Sequence, residues 1–329
     1  MEPVRWGVLS VSGHYRLRLQ KPLQESAISR MTAVASRDPE RARNAAKEMG
    51  IPRSYGSYAE LLKDPDIEAV YIPLPNHLHA EWTMKAADAG KHVLCEKPFG
   101  MNAAETEKAV DHVRSKGLLV MEAFMYKLHD QWRRAREIIR VGEIGRIRTV
   151  HTVFSYNNPD PHNIRNRPET GGGGIPDIGC YAVSAARFLT GEEPKRVVAL
   201  IERDPAFRTD IISSVMLDFG GGMRSTFTVS TQSFPAQQVL VYGTGGTMTI
   251  HLPFNMYPDT PARVTVTTGN GSRTIEFPPQ DQYRTLFDEF SAAVRGEREL
   301  PVPPKDAVAN MRVLDAIFAS EKSGKWEVL

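Results

Sequence analysis

Three side chains in this sequence have the types and spacing for proton transfer at a hydroxyl-bearing carbon. Lys97 stands in Glu96-Lys97-Pro98 at the end of an apolar run, and Asp177-Ile178-Gly179-Cys180-Tyr181 follows far downstream. A cation, a carboxylate and a phenol together can move a proton to or from a sugar oxygen. A free tyrosine has a pKa of about 10, too high for an efficient base near neutrality. An ammonium beside Tyr181 would lower it and would hydrogen-bond the oxygen as charge develops there. Pro176 suits the start of a helix, where its missing N–H is not needed, and Asp177 then lies in the first turn, where the dipole favours a negative charge. Tyr181, four residues on, shares its face. The arrangement predicts that Lys97 enters from another domain to meet this pair, with Asp177 orienting a sugar hydroxyl or the lysine.

Positioning these groups requires a scaffold, and the chain supplies an alternating one. Residues 4–10, 31–36, 69–73, 92–95 and 118–121 read as buried strands. Helical patterns fall between them at 39–49, 58–63, 79–89 and 103–116, punctuated by Asp38-Pro39, Gly90 and Gly117. Such alternation predicts βαβ units and a doubly wound parallel sheet. After Phe124 the texture changes. Helices are expected at 130–140 and 176–189, and a long strand at 147–156. Further strands at 196–202, 211–219, 223–230, 237–242 and 263–268 turn at Gly220-Gly221-Gly222 and Gly269-Asn270-Gly271, before two last helices at 283–294 and 305–321. The expectation is an α/β domain over residues 1–123 and an α+β domain over 124–329, the second built on a large, mostly antiparallel sheet with helices on one face and carrying substrate recognition.

A dinucleotide-binding turn after the first strand wants glycine, so that the backbone can turn tightly and approach the pyrophosphate. Here the spacing falls on Ser10, Ser12 and Tyr15. The serine hydroxyls can donate to phosphate, and Gly13 restores flexibility. At the end of the second strand, Ser36-Arg37 replaces the acidic residue that selects a free ribose hydroxyl. A hydroxyl and a guanidinium suit a 2′-phosphate, so the cofactor is expected to be NADP rather than NAD. The loop from Pro73 to His79 follows the third strand at the end where ligands of open α/β sheets bind, and Asn76 is placed to reach ribose or nicotinamide. His77 and His79 lack acidic or cysteine partners at metal-ligand spacing, so no metal is expected.

Glu96-Lys97-Pro98, Glu122-Ala-Phe-Met-Tyr126, and the stretch from Asn163-Ile-Arg165 through Gly171-Gly-Gly-Gly174 to Asp177-x-x-x-Tyr181 resemble the glucose–fructose oxidoreductase / inositol dehydrogenase (Gfo/Idh/MocA) family. The branch most similar contains aldose dehydrogenase, glucose–fructose oxidoreductase and dimeric dihydrodiol dehydrogenase. The resemblance implies an N-terminal Rossmann domain, a C-terminal open sheet that often mediates dimer contacts, and a nicotinamide cofactor. It carries the family's lysine, aspartate and tyrosine onto Lys97, Asp177 and Tyr181; Glu96, beside the lysine, and His79, which reads as a helix-start residue, complete the expected cofactor contacts. Members active on inositol carry histidine where this chain has Tyr181. The expected step is hydride transfer between nicotinamide and a carbinol carbon of a sugar or cyclic polyol, with Tyr181 handling the proton. Tyr156, Asp160, His162, Asn163, Arg165 and Asp177 form a polar group suited to a polyhydroxylated ligand. Gly171 to Gly174 are expected to bring the chain close to the cofactor. Two other classes stay open: a non-catalytic sensor that kept the fold, and redox-assisted glycoside cleavage.

Composition narrows the partners. At 329 residues the chain fits two domains, and Lys+Arg 41 against Asp+Glu 39 leaves no bulk electrostatic case for nucleic acid or anionic membrane. No apolar stretch nears the roughly 20 residues that span a bilayer, and the N-terminus shows no secretory h-region. Two cysteines, Cys95 and Cys180, make neither a disulfide framework nor a zinc site. A reduced, cytoplasmic setting is expected, and an extended sheet face invites a homodimer or higher homo-oligomer.

Overall fold

The computed structural model describes residues 2–329. The chain begins with β1 (Val4–Leu9), a helix from Gly13 that ends as α1 (Gln20–Gln24), β2 (Ser29–Ala35), α2 (Pro39–Met49) and β3 (Arg53–Tyr55). It continues through α3 (Tyr58–Leu62), β4 (Ala69–Ile72), α4 (His79–Asp88), β5 (His92–Cys95), α5 (Ala103–Ser115) and β6 (Val120–Glu122). Then come α6 (Asp130–Arg140), β7 (Ile147–Asn157), α7 (Cys180–Thr190), β8 (Arg196–Arg203), β9 (Asp210–Gly220), β10 (Met223–Ser230) and β11 (Gln232–Gly243). The chain closes with β12 (Gly246–Ile250), β13 (Ala262–Thr268), β14 (Gly271–Phe277), α8 (Gln282–Val294), α9 (Lys305–Ser323) and β15 (Glu327–Val328).

Local chemistry sets many of these bounds. Asp38 accepts hydrogen bonds from the amides of Glu40 (2.9 Å) and Arg41 (3.1 Å), Pro39 takes the first helical position, and Gly50 closes α2 at φ +65°. Asn102 caps α5 in the same way through Glu105 N–H at 2.8 Å.

Packing divides the chain into two compact units. The first comprises the chain through Met125 together with Tyr283–Val308, and the second Tyr126–Gln282 with Ala309–Leu329. A single cut at 123/124 therefore misplaces residues 283–308. The reason is aromatic. Trp6 and Tyr71 on the sheet meet Phe287 and Phe290 of α8, with centroids 4.7 Å (Trp6–Phe287), 5.4 Å (Trp6–Phe290) and 5.2 Å (Tyr71–Phe287) apart. Trp6 Nε1 donates to Ser291 Oγ at 3.0 Å, and Ser26 and Ser29 donate to Asp288. Large side chains fully buried in this way contribute roughly 1.5–3 kcal/mol each.

The first unit's sheet has six parallel strands in the order β3-β2-β1-β4-β5-β6. This is the Rossmann arrangement, and its near-continuous apolar strands are buried on both faces. The second unit holds a nine-stranded sheet, β14-β13-β12-β11-β7-β10-β9-β8-β15, antiparallel except for the pair β7 and β10. Alternation along its strands buries Val150, Val215, Leu217, Phe227, Val239 and Val241 on one face. The other face shows hydroxyl pairs across strands, including Ser214–Thr228 at 3.0 Å and Thr265–Thr274 at 2.9 Å.

Candidate active site

In the first unit the Lys97 turn is built from polar pins. β5 ends at Cys95, and the Lys97–Pro98 peptide is cis. Tyr71 OH donates to Glu96 at 2.5 Å, Phe99 N–H donates to buried Glu122 at 2.9 Å, and Lys97 N–H lies 3.3 Å from Glu96. Lys97 itself is half-buried. His79 adds a further pin, and it stands at the start of α4, the helix-start place its sequence position suggests. As the first residue of α4 its ring is 1% exposed, with Nδ1 2.8 Å from Pro98 O and Nε2 2.7 Å from Leu74 O. Both nitrogens are occupied by main chain, so its part is to tie the Pro73–Leu78 loop to the Lys97 turn. Burial pushes its pKa down, against the pull of the two carbonyls.

The phosphate turn keeps the expected backbone without the expected glycines. Ser10 adopts φ +152°, ground that glycine normally holds. Ser12 Oγ accepts the amide of Tyr15 at 3.1 Å, which leaves its own O–H as a donor. Tyr15 stands where a third glycine would let helix and strand press together. It is 1% exposed and lies 6.4 Å from the Tyr71 ring, and the helix widens there into a π-turn over Tyr15–Leu19. Gly13 is exposed, and a side chain added there would meet nothing within 4 Å.

Ser36 is buried at the end of β2, with Oγ accepting Asp38 N–H at 3.2 Å. Arg37 is exposed and has no hydrogen bond or ion pair among the described residues. Sequence reasoning passed over Arg41, one turn along, whose guanidinium donates to Val11 O at 3.0 Å and frames a groove of about 270 Å³ with Val11, Arg16 and Asp38. Pro73 is buried, and Asn76 opens a 3-10 turn, partly buried. The turn geometry of Ser10, the spare hydroxyl protons of Ser12 and Ser36 and the uncommitted Arg37 fit a phosphorylated dinucleotide.

In the second unit the structure gathers Asp177, Tyr156 and Arg165. Tyr156 OH donates to Asp177 Oδ2 at 2.6 Å, and Arg165 Nε donates to the same oxygen at 2.9 Å. Burial first, and then the carboxylate, raise the pKa of Tyr156, which is therefore a donor and not a base. Asp177 holds the Arg165 charge more firmly still. Tyr181 is buried, 5.2 Å from the ring of Phe254 and 5.8 Å from those of Tyr126 and Phe154. The single α-helix expected from 176 is instead a π-turn, Ile175–Gly179, that passes into α7. Asn163 is not gathered as a free side chain: its Oδ1 accepts Arg165 N–H at 3.0 Å and caps a 3-10 turn. His162 is exposed, with its amide on Asp160 at 2.8 Å.

The glycine run is also required by its own surroundings. A Cβ on Gly172 would lie 2.5 Å from Arg165 O, and one on Gly173, at φ +129°, would lie 2.0 Å from Asp210 Oδ1. The glycines admit a carboxylate that sequence reasoning missed. Asp210 is 1% exposed and accepts the Ile175 amide, and burial pushes its pKa up to about 6. Nothing in its local pattern, Thr209-Asp210 before a strand, distinguishes it from a turn residue. Among the described residues no helix is long and apolar enough to cross a membrane, and no group of three His, Cys, Asp or Glu is placed to hold a metal ion.

A six-stranded Rossmann unit followed by an open-sheet unit defines the class of two-domain nicotinamide-dependent oxidoreductases. Residues 5–124 match the model of the oxidoreductase family with an NAD-binding Rossmann fold, and residues 132–249 match a Gfo/Idh/MocA C-terminal domain. The chain belongs to the Gfo/Idh/MocA family and is an NAD(P)-dependent oxidoreductase acting on CH–OH groups. It is 40% identical to an uncharacterized oxidoreductase of Rhizobium meliloti, over 100% of both chains. It is 38% identical to D-xylose 1-dehydrogenase (NADP(+)) 2 of Haloferax volcanii, over 97% of this chain and 98% of that protein. A 3-ketoreductase from Actinomadura kijaniata, crystallised with NADP and TDP-benzene, superimposes with a TM-score of 0.92 at 27% identity, covering 97% of this chain and 98% of the other.

Proposed function

We propose that this protein is an NADP-dependent dehydrogenase of aldoses or related cyclic polyols, with Lys97, Asp177 and Tyr181 as its working side chains. The observation that carries the reading is the fixed Tyr156–Asp177–Arg165 group one turn before a buried tyrosine. A carboxylate already held by two donors is preorganised to orient a ligand hydroxyl. When bound, the nicotinamide supplies the hydride acceptor or donor. Tyr181 carries the proton at the substrate oxygen, the apolar rings around it exclude water, and Lys97 stabilises the negative charge that develops as the O–H bond breaks. Ser10, Ser12 and Gly13 hold phosphate, and Ser36 and Arg37 select the 2′-phosphate. The similarity to a xylose dehydrogenase named for NADP supports both halves of the reading.

The test is a binding panel of NADP, NADPH, NAD and NADH, then a screen of D-xylose, D-glucose and other aldoses followed at the nicotinamide absorbance. NADP reduction with at least one aldose is expected. Tight NADP binding without turnover of any sugar would sink the substrate assignment. A second copy of the chain is proposed to cover the open face of the nine-stranded sheet, where Leu200, 78% exposed, and Ile212, 42% exposed, stand among the hydroxyl ladders.

A further inference from the structure

We propose that Asp210 is a positioning residue for the proposed catalytic helix start: its buried carboxylate holds the turn that presents Asp177 and Tyr181. The inference rests on the dehydrogenase reading and adds a residue to it. Asp210 Oδ2 accepts the amide of Ile175, the first residue of the π-turn, and Ser213 Oγ lies 3.4 Å from the same oxygen. Gly173 N–H donates to Arg165 O at 2.8 Å, Asp177 N–H donates to Gly173 O at 3.1 Å, and Arg165 Nε returns to Asp177 at 2.9 Å. These three bonds close a ring, and Asp210 is packed against the Gly173 corner so tightly that no side chain fits there. Moving the carboxylate therefore moves the backbone from which Asp177 projects.

The ionised carboxylate is the stronger acceptor for the Ile175 amide, and it makes that bond against the desolvation that raises its pKa. A protonated one turns an acceptor into a donor beside backbone N–H groups and weakens the hold. The charged and titratable groups facing it are Arg203 from β8, forked onto Glu321 at 2.7 and 2.6 Å, and Tyr156 from β7. Arg203 opposes, without cancelling, the effect of burial.

The experiment uses two readouts on the full chain. In protein labelled with ¹⁵N-isoleucine, the Ile175 amide proton is expected to titrate with a midpoint near pH 6, to stop titrating in Asp210→Asn, and to shift upward in pH in Arg203→Gln. In NADP-linked oxidation of D-xylose, Asp210→Asn is expected to lower kcat by about 10- to 100-fold, the range a small misplacement costs. NADP affinity should stay unchanged, and the acid limb of the kcat profile should disappear. An Ile175 amide that stays still between pH 5 and 8, or an Asp210→Asn protein that keeps both its kcat and its acid limb, would overturn the proposal. Failure of the unaltered protein to oxidise any aldose defeats the dehydrogenase reading, while the Ile175 titration still decides whether Asp210 holds the turn.

Discussion

Tyr181 and Lys97 carry the sharpest predictions at the level of single residues. Tyr181→Phe removes the proton carrier and keeps the ring packing against Phe254, so turnover should fall by about 10²- to 10⁴-fold with the fold intact. Lys97→Met should cost about 10²- to 10³-fold. Steady-state kinetics with thermal melts as a control check both, and full activity in either variant would contradict its assigned role. Arg37→Ala should weaken NADP by about 10- to 100-fold, the worth of a hydrogen bond to a charged group, and leave NAD nearly unaffected; calorimetry with both cofactors decides. At this scale the sequence supplies residue types and spacing, a phenol four residues from an acid and an arginine in place of an acid after a strand, and the roles proposed for them rest on that chemistry. The bonds that His79 makes and the place of Asp210 were not legible, because their roles come from what the fold brings to them. Two carbonyls distant in sequence claim the His79 ring, and a glycine run makes room for a carboxylate from another strand.

Among elements, the central strands and most helices were legible, while the helix from Gly13 to Gln24 and the sheet edges were not. Bounds at α2, β5 and α6 follow from Asp38 and Gly50, from the apolar run His92–Cys95, and from the amphipathic stretch Asp130–Arg140. β3 has three residues and β15 two, too short for any periodicity, while β14 is exposed along most of its length and β12 starts within a glycine turn. The π-turns at Tyr15–Leu19 and Ile175–Gly179 depend on i→i+5 closure, which apolar spacing does not encode. Packing of α8 makes a testable element. Phe287, 0% exposed, meets both Trp6 and Tyr71, so Phe287→Ala should cost about 3–5 kcal/mol in urea unfolding. A loss below 1 kcal/mol would mean that α8 is not integral to the first unit.

For the molecule as a whole, buried charge and the open sheet give measurable consequences. The Asp210 carboxyl is raised to about 6 from an ordinary carboxylate value of about 3.9. Below about pH 4 it is protonated whether the chain is folded or unfolded. As the pH climbs through 6 the unfolded chain has already ionised, so the native state loses up to about 3 kcal/mol relative to it. Denaturation at pH 4.5 and 7.5 should therefore show Asp210→Asn gaining stability relative to the unaltered protein at the higher pH; an unchanged difference would refute the assignment. Light scattering tests the second proposal at this scale, that a partner copy covers the sheet face bearing Leu200 and Ile212, and Leu200→Glu should shift the mass toward one chain.

The return of residues 283–308 to the nucleotide-binding unit also constrains how the protein comes into being. A ribosome that has released only the first 125 residues has made a sheet whose Trp6 and Tyr71 have no Phe287 or Phe290 to lie against. Those first 125 residues must wait, incompletely covered, until residues 283–308 have been made, and during that interval they expose apolar surface that a chaperone can shield.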